Sequence, residues 1–182
     1  MPLFTVEREY FASLEEKKSR FLAFLVPHVD FASTLADLRD EHKKANHHVT
    51  AFRRMLPEGR IDEGGKDDGE PSGTSGMPTL KTLIGANLVD VGVIIVRYFG
   101  GTKLGTGGLA RAYSGAANLV IREADLVPWL RLKTRSVSAS FSSSAELERQ
   151  IILLQLEVIE RTFTEDGVTL LVTGPEDQID KL

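Results

Sequence analysis

The chain has 182 residues, and its 22 Lys and Arg against 26 Asp and Glu give a net charge of −4. With 42% hydrophobic and 26% charged residues it has the composition of a globular protein, which excludes a disordered chain. The lack of cysteine excludes disulfides, thiolate metal sites and a cysteine nucleophile. No apolar run approaches the ~20 residues of a membrane span, and no signal-peptide pattern follows Met1. The composition therefore predicts a soluble cytoplasmic protein with no membrane partner.

The first part of the chain alternates predicted strands and helices. A stripe of Phe31, Leu35 and Leu38 at helical spacing predicts a helix that Asp30 caps. The polar stretch 57–77 is long for a connection, so it is interpreted as a functional loop or a disordered segment. Strands are predicted at residues 3–10, 19–26, 47–55 and 88–99, and two further helices at 78–86 and 106–124.

The order of elements changes after a predicted linker at residues 125–129. A strand at 130–141, a helix at 143–154, strands at 156–162 and 168–172 and a final helix from 175 give the order β-α-β-β-α. This order is that of a ferredoxin-like unit without its last strand. The sequence thus predicts a two-domain α+β protein with domains at 1–127 and 128–182.

The segment 97–113, RYFGGTKLGTGGLARAY, is the strongest candidate for binding chemistry. It holds five glycines and the basic residues Arg97, Lys103 and Arg111, with no acid. A strand that runs through glycines into a helix brings backbone N–H groups and the positive helix end together, which favours an anion. In the alternative interpretation the glycines only allow the chain to turn and the helix to pack.

Three acids, Asp67, Asp68 and Glu70, precede this segment in a Gly- and Ser-rich stretch. They are interpreted as an Mg²⁺ site, as an acidic loop folding over a basic ligand, as an ion pair with the basic segment, or as a solvated loop. The adjacent His47 and His48 lie on a predicted strand, so their side chains point to opposite faces and only one can reach a given site.

These segments together resemble the IMPACT/YigZ family. The matching stretches are KKSRF at 17–21, HH at 47–48, DDGEPSGTSG with a proline at 67–78, and RYFGGTKLGTGGLARAY at 97–113. The resemblance implies an N-terminal domain of the left-handed βαβ type, shared with a ribosomal protein, gyrase B and the GHMP kinases. It implies a ferredoxin-like C-terminal domain similar to the last domain of the translocating elongation factor. The chain is similar to two-domain bacterial members, without the extra N-terminal domain of eukaryotic relatives.

The resemblance implies a non-catalytic protein that acts in the regulation of translation and binds RNA or the ribosome, or a translation-associated protein. Phosphates would be bound by one basic groove on the Gly-rich strand-loop-helix, with Tyr98 or Phe99 available to stack on a base. The residues assigned to this anion site are Lys17, Arg20, His48, Arg97, Tyr98, Gly100, Gly101, Lys103, Gly105, Gly107, Gly108 and Arg111.

Two alternative functions stay open at this point. One is an enzyme or binding protein for a phosphorylated small molecule or nucleotide, with Mg²⁺ held by Asp67, Asp68 or Glu70 and Lys103 neutralising phosphate charge. The other is an adaptor that binds only protein and whose glycines are structural. No cofactor is expected under the leading interpretation.

Overall fold

The computed structural model describes residues 1–182 and shows two compact units, Met1–Trp129 and Leu130–Leu182. Both units combine helices with antiparallel sheets, so the molecule is a two-domain α+β protein. The sequence analysis placed the division two residues earlier, at residue 127. None of the five helices has the length and apolarity that crossing a bilayer would require.

The N-terminal unit is built on a five-stranded antiparallel sheet in the order β2-β3-β6-β4-β5. A separate two-stranded ribbon joins β1 to β7. The elements are β1 (Phe4–Thr5), β2 (Tyr10–Glu16), β3 (Ser19–Pro27), α1 (His28–Glu41), β4 (His47–Met55), β5 (Ile61–Lys66), α2 (Gly76–Gly85), β6 (Val91–Tyr98), α3 (Gly105–Glu123) and β7 (Val127–Pro128).

Helices cover the sheet on both faces. On one face α1 packs Leu38 against Ile94 and Val96 of β6. On the other face α2 and α3 close the main core, with Leu83 and Tyr113 fully buried. The strand β6 is the centre of the sheet, and its alternating residues contribute to both cores, which explains its nearly continuous apolar sequence.

Two predicted elements differ at the start of the chain. The strand predicted at residues 3–10 is wrong over most of its length, because only Phe4–Thr5 pairs there and the sheet strand begins at Tyr10. The helix α1 begins at His28 behind Pro27, so Asp30 lies in its first turn and is not the cap. The stripe of Phe31, Leu35 and Leu38 does face the core that α1 covers.

The polar stretch 57–77 contains a strand that the sequence analysis did not predict. The strand β5 pairs with β4, and the pairing aligns Arg53 with Glu63 and Arg54 with Asp62. Both pairs are ion pairs, with N–O distances of 2.7 and 2.9 Å. Most strands are recognised in a sequence by their apolar residues. Because β5 pairs with β4 through charged residues instead, its sequence is typical of a loop.

The C-terminal unit has the predicted order β-α-β-β-α. Its elements are β8 (Leu132–Ser140), α4 (Ser144–Leu153), β9 (Glu157–Phe163), β10 (Gly167–Pro175) and α5 (Glu176–Ile179). The three strands form an antiparallel sheet in the order β8-β10-β9. Its own core is formed by Ile151, Leu170, Val172 and Ile179 with their neighbours.

Candidate functional site

The sheet of the N-terminal unit separates the predicted anion-site residues into two groups. Side chains alternate between faces along a strand. Arg97 lies on the face of the main core, as its contact with Phe21 shows, whereas Tyr98 packs into the core under α1. Arg20 stacks on Tyr98 at 4.9 Å from the ring centre and so lies on the α1 face. The single basic groove expected from the sequence is therefore not formed.

His48 also lies on the α1 face. It is buried, and its Nε2 is 3.3 Å from the carbonyl oxygen of Leu38 in α1. Burial lowers the pKa of His48, and this effect exceeds the opposite effects of the Leu38 carbonyl and the Asp68 carboxylate. The hydroxyl group of Tyr98 is hydrogen-bonded to the ring of His42, with 2.7 Å between Oη and Nδ1. These contacts tie α1 to the sheet and give His48 and Tyr98 a structural role.

On the opposite face, three predicted cations lie around Leu104 at the start of α3. Lys17 and Arg111 line a cavity of about 250 Å³ together with Leu104. Lys103 and Leu104 line a second cavity, described below. All three cations are exposed, and none has an ion-pair partner. We call Lys17, Lys103 and Arg111 the cationic surface.

The glycines shape the loop that carries this surface. A Cβ on Gly100 would lie 2.1 Å from the carbonyl carbon of Lys18, so the loop contacts the turn between β2 and β3 directly. Gly101 and Gly105 have φ of +91° and +74°, which disfavours other residues there. Gly107 and Gly108 lie within the first turn of α3. This turn holds no acid, and Leu104 at the cap position makes no side-chain capping bond.

A pocket of about 360 Å³ opens between this loop and the segment of the three acids. Its apolar wall includes Phe99, which is 45% exposed, and Leu109. We call it the Phe99 pocket. Its lining residues are Asn46, His47, Glu70, Pro71, Arg97, Phe99, Lys103, Leu104, Gly105, Thr106 and Leu109.

Glu70 and Arg97 form a buried ion pair at this pocket. Arg97 Nη1 donates to Glu70 Oε1 at 2.5 Å, and the two side chains are 6% and 4% exposed. The hydroxyl of Tyr113 donates to the same oxygen at 2.7 Å. Burial and the contact with Glu70 raise the pKa of Tyr113, so the phenol keeps its proton and acts as a donor. Arg97 is thus neutralised inside the protein and does not belong to the cationic surface.

Two polar atoms of this cluster lack a hydrogen bond. Arg97 Nε is buried and has no partner. Glu70 Oε2 accepts no hydrogen bond and lies 3.6 Å from Nε2 of His47. The ring of His47 is oriented by its Nδ1, which lies 2.8 Å from the carbonyl oxygen of Asp68. Since a carbonyl only accepts, Nδ1 carries the hydrogen, and Nε2 of the neutral ring is an acceptor.

The other two acids hold the backbone of their own segment. Asp67 accepts bonds from the N–H groups of Gly73, Ser75 and Gly76 and from the hydroxyl of Ser75. Asp68 accepts from the N–H of His48 at 2.7 Å. The carboxylates of Asp67, Asp68 and Glu70 therefore point to three different sets of partners, and nowhere do three or more side chains of ligating type gather as a metal site would need.

The bonds to Asp67 also set its acidity. Burial by itself would raise the pKa of this carboxyl group, but the hydrogen bonds from Gly73, Gly76 and Ser75 outweigh it and lower the pKa below its usual range. The carboxylate is the form that the loop requires. Asp67 thereby fixes the turn that places Glu70 next to Arg97.

The sequence analysis did not assign two residues that lie beside Glu70, namely His47 and Tyr113. It did name Phe99, which lines the pocket wall, as one of two aromatic residues available to stack on a base. Strand alternation could have found His47, because it shares the face of Arg97, to which it is paired in register. An ion pair between the acidic and the basic segment was one of the interpretations of the sequence, and Glu70 with Arg97 forms it. No local pattern marks these two residues as the partners, since 27 positions separate them.

The fold and this site define a two-domain α+β protein whose N-terminal unit carries a cationic surface beside a pocket. The Impact N-terminal domain model matches residues 17–121, and the chain belongs to this family. The chain is 41% identical over 113 residues to the IMPACT family member YigZ of Escherichia coli, a match that covers 60% of this chain and 55% of that protein.

Other similarities extend over more of the molecule. An IMPACT family member of Thermus thermophilus is 42% identical over 160 residues, which cover 87% of this chain and 86% of the relative. A crystal structure described only as that of a hypothetical protein matches with a TM-score of 0.72 and 28% identity, covering 100% of this chain and 89% of the other. The whole fold, including the C-terminal unit, is therefore shared with a solved structure.

Proposed function

We propose that this protein binds RNA phosphates without catalysing a reaction, and that it acts on the ribosome in the regulation of translation, in the cytoplasm. Family membership supports the link to translation. One observation carries the binding role: Lys17, Lys103 and Arg111 are exposed and unpaired around one loop of a chain whose net charge is −4. Surface cations without acidic partners are free to contact phosphates.

The proposal includes a fold type for each of the two units. The C-terminal sheet order β8-β10-β9 with the order β-α-β-β-α supports a ferredoxin-like unit. The family resemblance supports the left-handed βαβ type for the N-terminal unit. A translation-associated protein partner is an addition that this proposal does not require.

The test is co-sedimentation with ribosomal subunits over a series of salt concentrations. The double variant Lys103→Glu/Arg111→Glu should lose the association that the wild type shows at low salt. The matched control is Lys43→Glu/Lys44→Glu, which changes the net charge equally at two exposed residues just after α1. If both double variants sediment alike, the cationic surface is not the binding site. If the wild type never sediments with ribosomes, the proposed function is wrong.

A further inference from the structure

Binding of RNA phosphates to the exposed cations does not require a pocket, yet the Phe99 pocket lies directly beside Lys103. Its volume of about 360 Å³ lies in the range of small-ligand sites. One wall is apolar, and the ring of Phe99 is 45% exposed beside it. An aromatic ring in this setting stacks well on an unpaired nucleobase.

One end of the pocket suits a phosphate. Gly105 and Thr106, the first residues of α3, line it, and no acid lies in that first turn. Lys103 adds an unpaired positive charge at the same end. Free N–H groups at a helix start and a nearby cation are a common arrangement for binding phosphate.

The other end presents acceptor atoms that lack a hydrogen bond, on Glu70, whose side chain is 4% exposed, and on His47, whose side chain is 21% exposed. Glu70 Oε2 is one acceptor, and in the neutral ring Nε2 of His47, 3.6 Å away, is the other. Because a polar atom that a ligand covers without pairing costs free energy, a ligand that supplies donors to these two acceptors gains at this end.

We propose that the Phe99 pocket binds one unstacked adenine or cytosine nucleotide of the RNA, with its phosphate at the start of α3 and its base against Phe99. Adenine and cytosine each carry an amino group that can donate to both His47 and Glu70. Uracil and hypoxanthine carry an oxygen in place of that amino group and a hydrogen on the neighbouring ring nitrogen. This inference rests on the proposed function, since it names the nucleotide that the same site selects.

The experiment titrates the full-length protein with nucleoside monophosphates in two matched pairs, CMP with UMP and AMP with IMP, by NMR or calorimetry. The two members of each pair carry the same phosphate and differ only in the amino group, which an oxygen replaces, and in the hydrogen on the neighbouring ring nitrogen. We expect CMP and AMP to bind about tenfold more tightly than UMP and IMP, because the wrong base places an acceptor oxygen against the acceptors of Glu70 and His47. Equal affinities within both pairs would overturn the inference, as would the absence of binding by all four at millimolar concentration.

Variants test the stacking wall and the end that reads the base separately. Phe99→Ala, at a half-exposed position, should weaken CMP and UMP alike by about tenfold, because both lose the stacking surface. His47→Leu should remove the preference for CMP over UMP. Lys44→Ala, an exposed residue beyond α1, is the control and should change neither affinity. Unchanged CMP binding by Phe99→Ala would place the nucleotide elsewhere and refute the proposal.

The result is distinguishable from a failure of the proposed function. Mononucleotide titration requires no RNA or ribosome, so it reports on the pocket even if co-sedimentation fails. The opposite result is also distinct. If the variants of the cationic surface lose ribosome association, Phe99→Ala and His47→Leu retain it, and the monophosphates show no base preference, the proposed function stands and this inference is wrong.

Discussion

At the scale of single residues, the buried pair of Glu70 and Arg97 dominates the site. Arg97 has no other charged partner, and the hydroxyl of Tyr113 donates to the same carboxylate. A charge buried to this extent is tolerated only with its counter-charge in place. The pair therefore couples the segment of the three acids to the central strand β6.

Removing one member of this pair should destabilise the protein strongly. We expect Glu70→Ala to lower the free energy of unfolding by about 3–5 kcal/mol, because Arg97 would stay buried without a counter-charge. Asp62→Ala is the control, since it breaks an ion pair with Arg54 whose side chains are 47% and 36% exposed. That control should cost about 1 kcal/mol or less. Denaturant unfolding of both variants measures the difference, and equal losses would contradict the importance of the buried pair.

Residue chemistry was only partly predictable from the sequence. The exposed Lys17, Lys103 and Arg111 were assigned to an anion site. They line two cavities that share Leu104, and the binding of an anion there stays a prediction. Arg97 was assigned to the same site, but it is buried against Glu70. A partnership across 27 positions depends on where the loop after β5 places its acid, and no spacing rule contains that information.

At the scale of elements, close backbone contacts hold the Gly-rich loop and the β2–β3 turn together. The N–H of Gly100 donates to the hydroxyl of Ser19 at 3.1 Å, and Lys17 and Lys18 both have positive φ in that turn. Such contacts leave no room for a Cβ at residue 100. The loop and the turn therefore keep a fixed geometry, which holds Lys17 near Arg111.

Gly100→Ala should disturb this contact. Its Cβ would lie 2.1 to 2.4 Å from backbone atoms of Lys18 and Ser19, which cannot move aside as a flexible side chain would. We expect a loss of about 1–3 kcal/mol in the free energy of unfolding, together with weaker RNA binding. Gly85→Ala, a helical position with nothing within 4 Å of the added Cβ, should be neutral or slightly stabilising. A thermal shift of the same sign in both variants would argue against a packing role for Gly100.

Asp67→Asn tests the segment that holds Glu70. The hydrogen bonds to Asp67 lower its pKa in the folded protein, so the carboxylate stabilises the fold above the ordinary pKa of about 4. That contribution is lost as the pH falls through the lowered pKa. Asp67→Asn should therefore be less stable than the wild type near pH 7, and the difference should shrink below about pH 4. Thermal unfolding across this range checks it, and a difference independent of pH would refute the electrostatic cause.

Element prediction succeeded where apolar periodicity was strong and failed where charge replaced it. The helices α1, α3 and α4 and the strands β3, β4 and β6 lie within a few residues of their predicted bounds. The strand β5 was missed because its cross-strand partners are ion pairs and two of its residues are glycine. Gly65 is needed there, since a Cβ would lie 2.5 Å from the carbonyl oxygen of Gly76 at the start of α2.

At the scale of the whole molecule, binding to RNA must work against the overall charge. The chain carries −4, so attraction is restricted to the cationic surface and falls as salt screens it. For single-stranded RNA the logarithm of the binding constant falls with the logarithm of salt by about 0.7 for each phosphate contacted. If Lys103 contacts one phosphate, Lys103→Ala should reduce the slope by about 0.7. Lys44→Ala should leave the slope unchanged, and an equal slope for both variants would exclude a phosphate contact by Lys103.

The two units should also unfold independently. Each apolar core lies within one unit: two cores belong to Met1–Trp129 and one to Leu130–Leu182. The N-terminal unit keeps its end ordered through Trp129, whose Nε1 donates to Asp90 at 2.6 Å. A fragment of residues 1–129 therefore retains both of its cores and all residues of the cationic surface. We expect it to unfold cooperatively in calorimetry and to show the salt-dependent RNA binding of the full chain. A fragment that folds cooperatively but does not bind RNA would assign part of the binding to the C-terminal unit.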